Sequence, residues 1–365
     1  MKVVFRVDAS LVIGTGHVMR CLTLAESLTA QGDEVTFICR EHAGHLFERI
    51  ASKGFQLFVL PPVISQIVEL EGGEKNSYAQ WLGCSQQSDA EACRAVLERI
   101  QPDWLVVDHY ALDQVWHRQL QGSYQALMVI DDLADRNHRC QLLLDQTIGR
   151  KQSDYQHRVP SDCQCLLGTD YGLLRAEFAQ WRSEQVRCNP EINRLLITLG
   201  GVDQQNMTCQ VLDALQQCQR TQALEVVVVM GANAPHLNQV ESLAQVMPYQ
   251  TVVKVDVSNM AELIAQSDVV ISAAGATVWE VACIGSPLMF VQTAENQQWI
   301  VAELHARQAG LEITKAHLKS DVRQLDQMDL AQRQTLSSAI AKLSDGKGAD
   351  RVANIMSKYL KGVHQ

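Results

Sequence analysis

The sequence predicts an α/β chain built as two parallel-sheet domains, and three observations predict it. Short aliphatic runs recur throughout the 365 residues, with helix-length stretches between them. The length exceeds what one hydrophobic core comfortably fills. The succession of strand, glycine-containing turn and helix is broken once, at WRSEQVRCNPEIN (181–193), where the apolar period lapses and Pro190 falls. It then begins afresh, so the expected domains are 1–185 and 186–365.

In the first half, strands are expected at KVVFRV, EVTFIC, QLFVL, DWLVVD and ALMVI, with CLLG a weaker candidate. KVVFRV runs into the Gly14–Gly16 loop and then a helix, in which Val18, Leu22, Ala25 and Leu28 mark one apolar face. Pro61 to Ser88 is polar and poorly periodic, and reads as an insertion of loop character. In the second half RLLITLGG, EVVVVMG, TVVKV, DVVISAAG and SPLMFVQ repeat the pattern. Two Rossmann-like domains follow. Ligands of such sheets bind beyond the carboxyl ends of the strands, so the cleft between the domains is the expected site.

Composition narrows the function. Apolar residues are 47% and charged residues 20%, the balance of a soluble globular protein. The longest aliphatic run, EVVVVM, is strand-sized and far short of the roughly 20 residues a membrane helix needs. MKVVFRVDAS is broken by Arg6 and Asp8 and is no signal peptide. A cytoplasmic protein with no membrane partner is expected, and a monomer. The net charge of −10 argues against a nucleic-acid partner but leaves room for one small anionic ligand. Eleven cysteines form no framework, and Cys163 with Cys165 alone is a weak zinc signal, so reduced thiols are expected.

Four stretches carry candidate chemistry. In Gly14-Thr15-Gly16-His17 the glycines leave backbone open to a ligand, and the helix start that follows favours an anion. Met19 stands where a dinucleotide fingerprint needs glycine, so a nicotinamide or flavin cofactor is not expected. His17 sits in the first turn, where the positive helix end favours the neutral imidazole and leaves it able to take a proton from water. A histidine merely tolerated at a helix start fits equally well. Asp8 could orient the ring or cap a loop, and Arg20 could meet a phosphate or lie on a solvated face.

The second stretch, LITLGGVDQQN, sends a buried strand into Gly200-Gly201, suited to close contact with a diphosphate. Asp203 is by default a helix cap. The third, DVVISAAGATVWEVACIGSP, ends a strand in a small-residue loop around Gly275. Glu280 follows about a turn later, placed for two ribose hydroxyls or simply for the helix dipole. Asn296 and Gln297 come shortly after, with amides that suit sugar hydroxyls or acetamido groups. The fourth comprises VVDHY, with Asp108, and IDDLADRNHRCQLLLDQ, which set acids directly after strands. Asp131, Asp132 and His138 have the residue types of a metal site without its spacing, and buried carboxylates that organise loops are expected instead.

Together DASxxIGTGHVMRCLTLA, VVDHY, IDDLADRxHxCxLLLDQ, YGLLRAEF and LGGxDxxNxT, in this order, resemble the UDP-2,4-diacetamido-2,4,6-trideoxy-β-L-altropyranose hydrolases of pseudaminic acid biosynthesis. The resemblance covers Met1 to about Gln298. It implies a fold like the GT-B glycosyltransferases, similar to the enzyme that adds N-acetylglucosamine to lipid I. It implies a sugar-nucleotide substrate, inverting attack by water at the anomeric carbon, release of UDP, and no metal or other cofactor. By its motifs His17 is the catalytic base, Arg175 of LLRAEF contacts substrate, and Glu280 follows the small-residue loop. Asp8 and Asp108 are the candidates to orient the ring. The loop SAAGAT departs from the family's glycine- and serine-rich loops, since Ala276 lacks a hydroxyl, and the apolar Val281 stands after the WE pair where relatives often carry a charged residue. In the implied fold a last helix often returns across both domains, and KGADRVANIMSKYL is the segment expected to do so.

Two rival readings share the cleft. A glycosyltransferase would pass the sugar to a lipid or protein acceptor, and the stretch from Gly14 to Arg20 shows no apolar and basic cluster for a lipid carrier. A non-catalytic sugar-nucleotide sensor would bind without turnover.

Overall fold

The computed structural model describes residues 1–62, 78–182, 189–218 and 224–363, apart from the side chains of Asn296 and Val363. The chain divides into two compact units, Met1–Leu173 joined by the chain from Lys347 on, and Leu174–Gly346.

The first unit is a seven-stranded parallel sheet: β1 (Lys2–Val7), β2 (Glu34–Arg40), β3 (Gln56–Leu60), β4 (Trp104–Asp108), β5 (Ala126–Ile130), β6 (Leu142–Asp145) and β7 (Gln164–Leu167). Their order is β3-β2-β1-β4-β5-β6-β7. The inner strands bury both faces, as parallel strands between helix layers must, while the edge strands β3 and β7 are partly exposed. On β1, Val3, Phe5 and Val7 meet helix α1 (Gly16–Ala30) through Leu24 and Leu28. Val4 faces the opposite layer with Leu97 and Trp116. Arg6 shares that second face and is fully buried. Its charge is met by a fork on Asp89 (3.1 and 2.7 Å) and by Asp8 at 2.6 Å.

The second unit is a six-stranded parallel sheet: β8 (Arg194–Thr198), β9 (Glu225–Met230), β10 (Gln250–Val255), β11 (Val269–Ala273), β12 (Leu288–Val291) and β13 (Leu311–Glu312), in the order β10-β9-β8-β11-β12-β13. Leu195, Ile197, Val226 and Val228 form its core with Val211 and Leu215 of the helix Met207–Leu215.

Several expectations change. The boundary falls at Leu173/Leu174 rather than 185/186, because the helix Ala176–Trp181 belongs to the second unit. Arg182, just after it, ties it there by donating to the carbonyls of Cys283 (2.7 Å) and Ser344 (2.6 Å). The C-terminal helix Gly348–Val363 belongs to the first unit rather than the second. It buries Val352, Ala353 and Met356 against α1 and β1, and Trp104 Nε1 donates to the Met356 carbonyl. A side chain at Gly348 would collide with the Gly172 backbone, so glycine is what lets the helix dock. Within the stretch read as an insertion, residues 63–77 lie outside the described residues. Ala79–Leu82 and the start of Gln86–Ile100 are helical, the latter capped by Ser85. The strands β6 and β13 were not expected. The described cysteines are all free.

Candidate active site

In the first sheet the chain leaves β1 toward β2 on one side and β4 toward β5 on the other. The crevice beyond the carboxyl ends of β1 and β4 is therefore the topological switch point, where such sheets bind ligands. The loop after β1 is closed by Ser10, whose hydroxyl accepts from the Val12 and Ile13 amides (3.1 and 2.9 Å) while its carbonyl accepts from Gly14. Gly14 has φ +80°, a value only glycine takes readily. This turn aims α1 so that His17, in its first turn, faces the end of β4.

There His17 Nδ1 lies 2.6 Å from Asp108 Oδ1. Arg20, one turn along, grips the same carboxylate through Nε (2.6 Å) and a terminal nitrogen (2.7 Å), and its other terminal nitrogen reaches Asp132 at 2.8 Å. Asp108 is fully buried. Burial pushes its carboxyl up, but Arg20 and His17 outweigh it and hold the group well below the usual carboxylate range. An ionised Asp108 can only accept, so the network puts a proton on Nδ1 of His17, and in the neutral ring the Nε2 lone pair is then the free one. Among the described residues Nε2 has no hydrogen-bond partner. A ring so held can take a proton from water without reorganising.

Aromatic rings wall the histidine. Tyr110 sets its edge on the imidazole at 4.6 Å between centroids and donates its hydroxyl to Asp132. Trp81 stacks on Tyr110 at 5.5 Å, and Tyr78 packs on both. Tyr78 and Trp81 escaped the sequence reading because they sit in the stretch taken for a loop. Tyr110 belongs to the VVDHY motif but had no assigned role.

Asp8 is engaged elsewhere than His17. It takes Arg6, the Arg40 amide at 2.6 Å and His109 at 3.3 Å. Arg20 lies in the network and not on a solvated face. Asp131, Asp132 and His138 do not converge on a metal. Asp132 serves Arg20 and Tyr110, while Asp131 serves Arg136 and Tyr155. Among the described residues no group of three or more His, Cys, Asp or Glu could hold a metal ion.

The second sheet has its own switch point, between β8 and β11. Gly200, at φ +100°, turns the chain out of β8. Asp203 then accepts from the Met207 and Thr208 amides (2.9 and 2.8 Å), satisfying the first turn of the following helix from three residues before its N-cap position, Asn206. After β11 the loop through Gly275 opens the helix Thr277–Ile284, with Glu280 in its first turn. Arg175 stands 3.8 Å from Glu280 and 3.0 Å from Glu177. Burial pushes the Glu280 carboxyl up to about 7, with Arg175 opposing. Gln297 turns its amide oxygen to the Thr293 amide at 2.8 Å, so local structure already holds that oxygen. Asn296 lies in the turn Glu295–Gln297 and its side chain is outside the described residues.

The glycines divide into two kinds. Gly14 and Gly200 are set by their backbone angles. Gly16 and Gly201 have ordinary angles, and an added Cβ on either would meet nothing within 4 Å. The fold does not need glycine there, and open backbone beside a crevice is what a closely approaching ligand needs.

Comparison with known proteins places this architecture. A model of the glycosyltransferase family 28 C-terminal domain matches residues 194–352. A Campylobacter jejuni protein named UDP-2,4-diacetamido-2,4,6-trideoxy-β-L-altropyranose hydrolase is 25% identical over 82% of this chain and 94% of its own length. An uncharacterized protein of Methanocaldococcus jannaschii is 23% identical over 82% of this chain, a match spanning only 57% of that longer relative. Among solved structures, Acinetobacter baumannii MurG superposes with a TM-score of 0.65 at 14% identity, covering 98% of this chain and 99% of that one. The chain has two Rossmann-like α/β domains of the GT-B fold.

Proposed function

We propose that the chain is a UDP-sugar hydrolase, and that its substrate is UDP-2,4-diacetamido-2,4,6-trideoxy-β-L-altropyranose, as the name of the Campylobacter relative indicates. The observation that carries the reading is the His17–Asp108 pair, locked by Arg20, at a glycine-bordered switch point. His17 Nε2 takes a proton from water, and the water oxygen bonds to the anomeric carbon. The bond from that carbon to the diphosphate oxygen breaks with its electron pair, giving the free diacetamido sugar and UDP. Asp108 keeps Nδ1–H in place and steadies the imidazolium that forms. UDP leaves as a stabilised anion, so no protonating acid is required at the leaving oxygen. The second unit takes the nucleotide, with Gly200, Gly201 and Gly275 offering backbone to the diphosphate and Glu280 accepting from the ribose hydroxyls. Arg175 contacts the substrate beside Glu280. The reaction needs no metal, and the protein works as a cytoplasmic enzyme of pseudaminic acid biosynthesis.

One observation favours a second reading. Leu11 and Val12, in the loop that presents His17, are 82% and 73% exposed, an apolar tip that fits an acceptor of a glycosyltransferase. Arg20 is the one basic residue of the adjoining helix turn and is held by two carboxylates, so the tip lacks the charge that a lipid-linked phosphate calls for.

UDP release from the purified substrate, with EDTA and without acceptor, separates the two. Release by the wild type and none by His17→Asn supports the hydrolase. Release that requires an added acceptor replaces it with the transferase, and binding with no turnover under either condition leaves a sensor.

A further inference from the structure

A second cavity, of about 460 Å³, opens in the first unit away from the His17 crevice. Its walls are the segment leading into β6, the segment leading into β7, and Gln114 at the start of the helix Gln114–Gln119. Its volume falls within the roughly 300–1,000 Å³ of small-molecule sites.

The lining is rich in donors. Two arginines, Arg139 and Arg158, and two histidines, His138 and His157, line it with one acid, Asp162. The guanidiniums of the exposed Arg139 and the half-buried Arg158 make no hydrogen bond or ion pair with the described residues. His138 is only 4% exposed, yet neither ring nitrogen has a hydrogen-bond partner. Its Nε2 stands 3.5 Å from Asp131, a carboxylate already held by Arg136 and Tyr155. Buried polar groups in native proteins normally find partners, and with Nε2 turned to Asp131 it is Nδ1 of this ring that lacks one.

The arrangement is also braced. His117 lies behind His138 with ring centroids 5.7 Å apart, and its Nδ1 accepts from the Arg139 amide at 3.2 Å. Burial, with His138 and Arg136 nearby, keeps His117 well below its usual value, so it is a neutral support. The His138 amide donates to the Arg158 carbonyl at 2.7 Å and ties the two walls together.

We infer that this cavity is a second ligand site, taking a small organic anion whose phosphoryl or carboxylate group is received by Arg139, Arg158 and His138. Guanidinium forks match either group in shape and charge. The site does not depend on the reaction proposed for His17.

Imidazole ¹H–¹⁵N spectra of the full chain, recorded at fixed pH and ionic strength during titration with inorganic phosphate and separately with acetate, test it. The His138 and His157 signals are expected to move saturably while that of His17 stays. Arg139→Gln with Arg158→Gln is expected to raise the midpoint at least tenfold. Tighter binding of phosphate assigns a phosphate ester, and tighter binding of acetate assigns a carboxylate. No movement at His138, movement at His17 alone, or a midpoint indifferent to the arginines overturns the proposal. Should the double variant unfold, the single Arg139→Gln, at an exposed position, is expected to raise the midpoint at least threefold, and an unchanged midpoint there overturns the proposal equally.

Discussion

Beyond the ends of β1 and β4 the crevice is filled with side chains: His17, Arg20, Asp108, Tyr110 and Asp132 hold one another at hydrogen-bond distance. Beyond the ends of β8 and β11, at the equivalent place in the second sheet, it is edged by backbone, with Gly200, Gly201 and Gly275 beside the pair of Arg175 and Glu280. The strand order around both is the same. One switch point holds an imidazole still, the other leaves backbone open. Chemistry in the first unit and nucleotide binding in the second is the division of labour this contrast supports.

The comparison breaks most sharply at His17. His17→Asn should cut turnover by about 10²–10⁴-fold, the usual contribution of a positioned base, and leave UDP affinity unchanged. A parallel loss of UDP binding, followed by calorimetry, would merge the two roles and make His17 structural. Asp108→Asn should cost about 10²-fold in turnover, because the amide no longer fixes the Nδ1 proton. It should also lower the melting temperature, since Arg20 loses its fully buried carboxylate and keeps a charge partner only in the half-buried Asp132. Full activity at a temperature where the variant is folded would remove Asp108 from the orienting role.

How much of this could be read from the chain differs between the sheets' centres and their edges. The central strands announce themselves through aliphatic runs closed by Gly14, Gly200 or Gly275. LLLD, the strand β6, runs on from HRCQ without a turn residue and is only four residues long, so nothing marked it as a strand. β13 has two residues and no pattern to see. At the site, His17 and Asp108 were each visible as residues following or ending a strand. Their pairing across 91 positions was not, because it depends on β4 lying against β1, which no local period encodes. The aromatic wall was hidden for a different reason. Tyr78 and Trp81 come from a short helical turn beside a polar stretch, where nothing in the spacing marks a packed surface.

The second unit offers gentler tests. Glu280→Ala should weaken UDP binding by about 1–3 kcal/mol, the cost of removing a charged acceptor, while turnover at saturating substrate stays. An unchanged dissociation constant would take Glu280 out of the nucleotide site. Gly201→Ala distinguishes a glycine kept for the ligand from one kept for the fold. Its Cβ would touch nothing within 4 Å, so stability should hold or rise by about 0.4–1 kcal/mol. UDP affinity should fall about tenfold as the methyl meets the diphosphate. Lost stability with intact affinity would reverse the assignment.

The smallest effect comes from the protonation of Glu280. Its carboxyl is raised from the ordinary 4.5 to about 7, first by burial, with Arg175 too distant to restore it. Between those two values the folded protein holds a proton that the unfolded chain has released. Stability therefore falls as pH rises through this window, by an amount on the order of 1–3 kcal/mol, and stays low above it. Glu280→Gln carries no such proton, so its melting temperature should exceed the wild type's at pH 8, with the gap closing toward pH 4.5. An equal gap at both values would mean that the side chain is as well solvated folded as unfolded. A carboxylate that costs stability at working pH, standing near a glycine, Gly201, that the fold does not require, fits the nucleotide-binding role proposed for it, since Arg175 at 3.8 Å offsets the cost only in part.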